Sequence, residues 1–290
     1  MIFSSYHGNT DSVVAFFALW ALVCASQGRD GLSGAAIGAG FALKVPTVLA
    51  APVLFFSITG WRSRLRFMAA FVGVASLLYL PGLVTDPVTV VRNVLFYGGL
   101  AIETPGGVKL WGIQNFYPML LELPTAWHGP IAWILLRYYA LNTPVCLLLV
   151  TVFAWLRRRE TSPQARGASI GMAFSIFYGF TNYWAFQYFA WSVPFLLCID
   201  LRFALPALAM MIAYIYGLYA WLCGNAYLRG PWDFMGHPYW PFWLLAIRDS
   251  CIGFFFLSGC CFLAMGLAWE VRWRRARRLG SPNQVGKKNR

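Results

Sequence analysis

Apolar residues run along this chain in long stretches, and polar residues, glycines and prolines gather in the breaks between them. Nine of these runs are predicted as membrane-crossing helices, near residues 12–27, 32–43, 45–58, 67–84, 131–156, 167–183, 187–199, 203–223 and 250–269. Several are shorter than the ~20 residues a full crossing takes, which suits helices whose ends are shielded by neighbours or that line a polar cavity. The fold class is therefore read as all-α, a polytopic transmembrane helical bundle. Residues 1–270 form one transmembrane domain with long loops at about 85–130 and 224–248, and residues 271–290 form a basic tail.

The basic residues orient the bundle. With the N-terminus outside and the C-terminus inside, the inner turns carry Arg29, then Arg62, Arg64 and Arg66, then Arg157, Arg158, Arg159 and Arg166, then Arg202, and finally the tail. That is 17 of the 23 Lys and Arg residues, as the positive-inside rule requires. Both long loops then face outside, with His7, His128 and His237, so the chemistry is expected on the outer face.

Composition agrees. The chain is 59% hydrophobic, 18% aromatic and only 11% charged, with a mean hydropathy of +0.60, whereas soluble domains are about a quarter charged. A disordered chain, a disulfide scaffold and an ordinary cytosolic enzyme are excluded. The net charge of +13 is concentrated at one end: eight of the basic residues and no acid lie in residues 271–290. A cationic flank directly after an apolar run faces anionic headgroups, so membrane rather than nucleic acid is the expected partner. The seven cysteines form no CxxC pair, and neither a metal nor another cofactor is expected. Most of the cysteines read as small buried apolar residues, while Cys223 and Cys251 bracket one loop and could pair in an oxidising compartment. Met1 is followed by polar residues rather than a cleavable signal peptide. There is no Walker loop, no GxGxxG after a strand and no GxSxG. No internal repeat marks an inverted-repeat transporter.

Ionisable groups at membrane depth are the candidates for chemistry. Asp11 opens the first helix, and two readings stay open: an acid favoured by the helix dipole, or part of a polar cluster with His7 and Asn9. Lys44 sits between two apolar halves just before Pro46 and needs an anionic partner, either a carboxylate or a ligand phosphate; snorkelling to the interface is the alternative. Gly34, Gly38 and Gly40 form a small-residue face for close approach of another helix. The first long loop mixes Arg92, Glu103, Lys109, Trp111 and Gln114 with Gly-Gly pairs. It reads as an amphipathic segment on the membrane or as a roof over a sugar site. Asn182, Tyr183, Gln187, Tyr188 and Trp191 cluster at the outer end of a helix, either as interfacial anchors or as site residues.

The order of these features resembles the GT-C class of integral-membrane glycosyltransferases, in its mannosyltransferase-like branch. The residues carrying it are Gly8, Asn9, Asp11 and Ser12; Gly34, Gly38, Gly40, Lys44 and Pro46; Trp111, Gly112 and Ile113; and Gln187, Tyr188, Trp191, Pro194 and Phe195. The resemblance covers about residues 7–200. It implies transfer of a sugar, mannose or another hexose, from a polyprenyl-phosphate sugar donor to a lipid or glycan acceptor on the non-cytoplasmic face of the plasma (inner) membrane. Inverting transfer needs a carboxylate to deprotonate the acceptor hydroxyl and cations to hold the leaving phosphate. Asp11 is the catalytic candidate; Lys44, Arg92 and Arg137 are candidates for the phosphate, and Glu103 and Trp111 for the sugar or acceptor. His7, Asn9, Gln114, Gln187 and Tyr188 complete the substrate-binding set. The class places its catalytic acid on a first outer loop after an initial helix, and Met1 stands just before what matches the third helix. The expectation is a truncated start, a partner subunit that supplies the missing N-terminal helices, or lost catalysis. A transporter or permease, and a non-catalytic accessory subunit of an envelope-glycan complex, are the competing readings.

Overall fold

The computed structural model describes residues 11–95, 103–104, 108–109, 111–116, 124–182, 186–229 and 240–278. Its helices are α1 (Asp11–Ser26), α2 (Asp30–Leu43), α3 (Ala51–Ser57), α4 (Trp61–Thr85), α5 (Pro87–Leu95), α6 (His128–Ala140), α7 (Asn142–Leu156), α8 (Pro163–Phe180), α9 (Val193–Leu196), α10 (Leu201–Leu222) and α11 (Phe242–Arg278). Short 3-10 turns at Val45–Ala50, Ile113–Phe116, Thr125–Trp127 and Phe186–Trp191 link them. The strands among the described residues are a two-residue antiparallel pair, Glu103–Thr104 against Val108–Lys109. The fold is all-α.

The breakers in the sequence act where their chemistry requires. Ser162 caps α8 by accepting from the Ala165 N–H (3.2 Å), with Pro163 in the first turn. Asp200 caps α10 through the Arg202 N–H (2.7 Å). Asp86 accepts from the Thr89 N–H (3.0 Å) at the start of the amphipathic helix α5, and hydrogen bonds from Thr89 lower its pKa. Residues 131–156, expected as a single crossing, form two helices, α6 and α7, bent by 77°. Pro144 accounts for the break: a proline ring clashes with the carbonyl four residues back, here Ala140, the last residue of α6.

Helix α11 begins at Phe242, inside the stretch expected as the second long loop, and runs past residue 270 to Arg278. Glu270 explains that continuation. It is buried and takes Arg158 (3.0 Å), Arg159 (2.5 Å) and Arg274 (2.9 Å), tying the last turns of α11 to the turn after α7. Cys223 and Cys251 do not pair; both are free thiols, the second buried within α11.

Packing rests on close backbone approach. Helices α2 and α4 run parallel, and a Cβ on Gly34 would lie 2.0 Å from the Phe67 carbonyl oxygen, one on Gly38 2.5 Å from that of Phe71. Only the absence of a side chain permits this contact. Gly34→Leu is expected to destabilise the protein by about 3 kcal/mol, because backbone on both sides resists the overpacking. Thermal unfolding in detergent reads this out, and a wild-type midpoint would contradict the α2–α4 contact. At the opposite end of α1, buried Arg166 donates to the carbonyls of Ala25 (2.9 Å) and Ser57 (3.1 Å), closing the C-terminal ends of α1 and α3.

The core is strongly aromatic: Phe174, Tyr178, Phe189, Trp191, Phe195 and Phe255 are fully buried around α8. The exterior is apolar as well. Helix α4 exposes Leu65, Val72, Leu77, Leu78, Leu80 and Val84. So many exposed aliphatic residues on one helix suit lipid rather than water. By length and composition α4, α10 and α11 can each cross a membrane, and the bent α6–α7 pair gives a fourth crossing if it acts as one span. The protein is thus built as a membrane protein.

Candidate functional site

Asp11 stands at the start of α1, where an acid in the first turn meets the positive end of the helix dipole. It is fully buried. A carboxylate out of water is costly unless paired and hydrogen-bonded, and two distant segments supply the partners. The Lys44 ammonium lies 2.7 Å from Oδ1. The Trp191 indole N–H donates to the same oxygen over 2.6 Å. Oδ2 is buried and has no hydrogen-bond partner among the described residues.

Local sequence explains how Lys44 comes to lie there. Pro46 cannot extend α2, and Lys44 is left in extended backbone (φ −157°, ψ 112°) between α2 and the 3-10 turn. Gly40 then lets that turn and α1 close on each other: a Cβ there would lie 2.6 Å from Thr47 Cγ2 and 2.7 Å from Phe17 Cβ. Of the partners open to Lys44, the structure supplies the carboxylate, and 23% of the side chain stays accessible. Asp11 is thus a first-turn acid held by Lys44 and Trp191; the cluster expected with His7 and Asn9 falls on residues outside the described ones.

Behind the ion pair stands a layer of rings. Tyr188 stacks on Trp191 with centroids 4.1 Å apart, and its carbonyl accepts from the Tyr178 hydroxyl (2.7 Å). The Tyr178 carbonyl in turn accepts from the Trp111 indole N–H (2.8 Å). Trp111 is fully buried between Phe189 and Tyr214, so it anchors the first long loop onto α8 and α10. Gly112 follows with φ +108°, a conformation that glycine adopts without strain. Gln114 turns back from there, its amide N–H donating to the Trp111 carbonyl.

The site candidates therefore divide. Asp11, Lys44 and Tyr188 come together, and Trp111 and Gln114 join them through Tyr178. Arg92 is exposed on α5, and Arg137 is exposed on α6 with its guanidinium 5.5 Å from the Trp133 ring centre. Neither contacts the Asp11–Lys44 pair. Glu103 faces Lys109 across the two-residue strand pair, and Gln187 lies in the turn that carries Tyr188. Their side chains lie outside the described residues. Sequence reasoning left Trp191 and Asn182 undecided between membrane anchors and site residues, and it passed over Tyr178. Trp191 had a visible signal, the Gln-Tyr-x-x-Trp spacing; Tyr178 is one aromatic among many and had none. Among the described residues no group of three or more His, Cys, Asp or Glu side chains is placed to hold a metal ion.

A carboxylate buried beside a cation, with one oxygen unpartnered, can take a proton from a hydroxyl while the cation faces an anion. Comparison with known proteins bears on which reaction uses such a pair. The family model for glycosyltransferase family 87 matches residues 2–179, a span that contains Asp11, Lys44, Trp111 and Tyr178. No curated protein and no solved structure matches the chain.

Proposed function

Because the chain belongs to glycosyltransferase family 87, we propose that it moves a hexose, mannose first among them, from a polyprenyl-phosphate sugar to a lipid or glycan acceptor. In this reading the chain crosses the plasma (inner) membrane nine times, N-terminus out and C-terminus in. That orientation puts the start of α1, and with it Asp11 and Lys44, at the non-cytoplasmic face.

The observation that carries the proposal is Oδ2 of buried Asp11, without a partner among the described residues and beside Lys44. Oδ2 takes the proton of the acceptor hydroxyl as its oxygen attacks the anomeric carbon and the bond from that carbon to the phosphate oxygen breaks. Lys44 stands against the negative charge that gathers on the leaving polyprenyl phosphate. Trp191 holds Oδ1, which leaves Oδ2 to face the acceptor. General-base assistance of this kind contributes about 10²–10⁴ in rate. Arg92, Arg137 and Glu103 then serve the approach of donor and acceptor over the membrane surface rather than the bond-making centre.

The test uses the full chain in lipid nanodiscs with polyprenyl-phosphate hexoses radiolabelled in the sugar and membrane lipid as acceptor. Transfer of label with release of polyprenyl phosphate is expected. An absence of transfer from mannose, glucose and galactose donors alike would overturn the reading.

A further inference from the structure

Asn182 follows the C-terminal end of α8 and is 4% exposed, yet among the described residues neither Oδ1 nor Nδ2 has a hydrogen-bond partner. Oε1 of Gln114 is buried and likewise without a partner among the described residues. The two amides meet over Gly112: a Cβ built on that residue would lie 2.3 Å from Gln114 Oε1 and 2.6 Å from Asn182 Oδ1. A glycine at that position is what allows both oxygens to converge on one small region.

Among the described residues the fold makes no use of the Asn182 side-chain amide. Its backbone N–H is taken by Asn142 Oδ1 (2.8 Å), while Asn142 Nδ2 (2.7 Å) and the Tyr138 hydroxyl both satisfy the Phe180 carbonyl. The segment is pinned by its neighbours, and the side chain is left buried without a bond to any described residue. Burying a polar group unpaired costs stability, so such a group in a native structure calls for a ligand that completes it. Asn182 offers an acceptor and two donors, and Gln114 adds another acceptor. That set refuses a phosphate, whose oxygens would face two carbonyl oxygens, and matches a hydroxyl, which donates and accepts at once. Trp111 Nε1–H and the Tyr178 carbonyl tie this place to the ring layer behind Asp11.

We propose that Asn182 and Gln114 form a hydroxyl-recognition subsite that reads a sugar ring during transfer. The inference rests on the transferase reading and names the part of the same site that recognises the sugar. Sites built to hydrogen-bond a hydroxyl reject analogues that lack it far more strongly than apolar pockets reject a changed methylene.

The experiment measures binding to the full chain in nanodiscs in two arms. The donor arm compares polyprenyl-phosphate mannose, glucose and galactose with sugar-free polyprenyl phosphate. The acceptor arm compares octyl mannoside, glucoside and galactoside with octanol. Wild type is expected to prefer at least one sugar-bearing probe by about tenfold, and the arm in which it does so identifies the source of the sugar. Asn182→Leu is expected to bind that probe no more tightly than its sugar-free counterpart. Its thermal midpoint is expected to stay level or rise, since an apolar group replaces an unpaired amide. Gln114→Met is expected to reduce the preference in the same arm, and serves as the test if Asn182→Leu fails to fold. If the variants keep the full wild-type preference, the subsite is wrong while the transferase reading stands. If wild type shows no sugar preference in either arm, the subsite is overturned, and the label-transfer assay decides separately whether the transferase reading falls with it.

Discussion

Lys44→Met is expected to cost about 3 kcal/mol of stability and to abolish sugar transfer, because it strands a fully buried carboxylate. Asp11 has no exposure to water, and Trp191 offers its Oδ1 a single neutral donor. Removing one partner of a buried pair leaves the other charge uncompensated, which is why the expected loss exceeds that of a surface ion pair, typically below ~1 kcal/mol. The double variant Asp11→Asn with Lys44→Met separates stability from catalysis. The amide that replaces the Asp11 carboxylate would still accept from the Trp191 indole, no unpaired charge would remain, and most of the lost stability should return without activity. Thermal unfolding of the purified variants measures this. If Lys44→Met unfolds at the wild-type temperature, the 2.7 Å contact with Asp11 is not what holds this end of α1 and α2 together.

Asp11→Asn on its own should show the opposite balance. The amide keeps the shape of the carboxylate and the bond to Trp191, and Lys44, 23% exposed, can turn toward water. The thermal midpoint is expected to stay close to wild type. Transfer should fall by about 10³, because an amide cannot accept the proton of the acceptor hydroxyl. The sharpest measurement is the rate under saturating donor, since binding of the polyprenyl phosphate through Lys44 should survive. Transfer within a few-fold of wild type would remove Asp11 from the role of base.

Much of the fold is legible along the chain because the relevant interactions are local. Proline, glycine and capping residues act on their own neighbours, so the ends of α2, α8 and α10 follow from Pro46, Ser162 and Asp200. The small-residue face on α2 is also readable, but not its partner: nothing near Gly34 in sequence points to Phe67. The run over 131–156 reads as one helix because its apolar content outweighs a single proline at 144. The extent of α11 is hidden because the charges after Glu270 resemble a solvated tail until Arg158 and Arg159 meet that carboxylate.

By itself the sequence determined a helical membrane protein, for burial of so many apolar residues with so few charges leaves no other solvent for the exterior. It also singled out Lys44 as a cation that needs an anionic partner, and Asp11 as an acid of the first helical turn or of a polar cluster. That they are each other's partners, that Trp191 shares the carboxylate from 180 residues away, and that Asn182 and Gln114 converge over Gly112 all depend on how the helices pack. The reason is physical. The energy of a buried charge or amide depends on what packs against it, and in a helical bundle those neighbours come from other helices, at separations that no local pattern encodes.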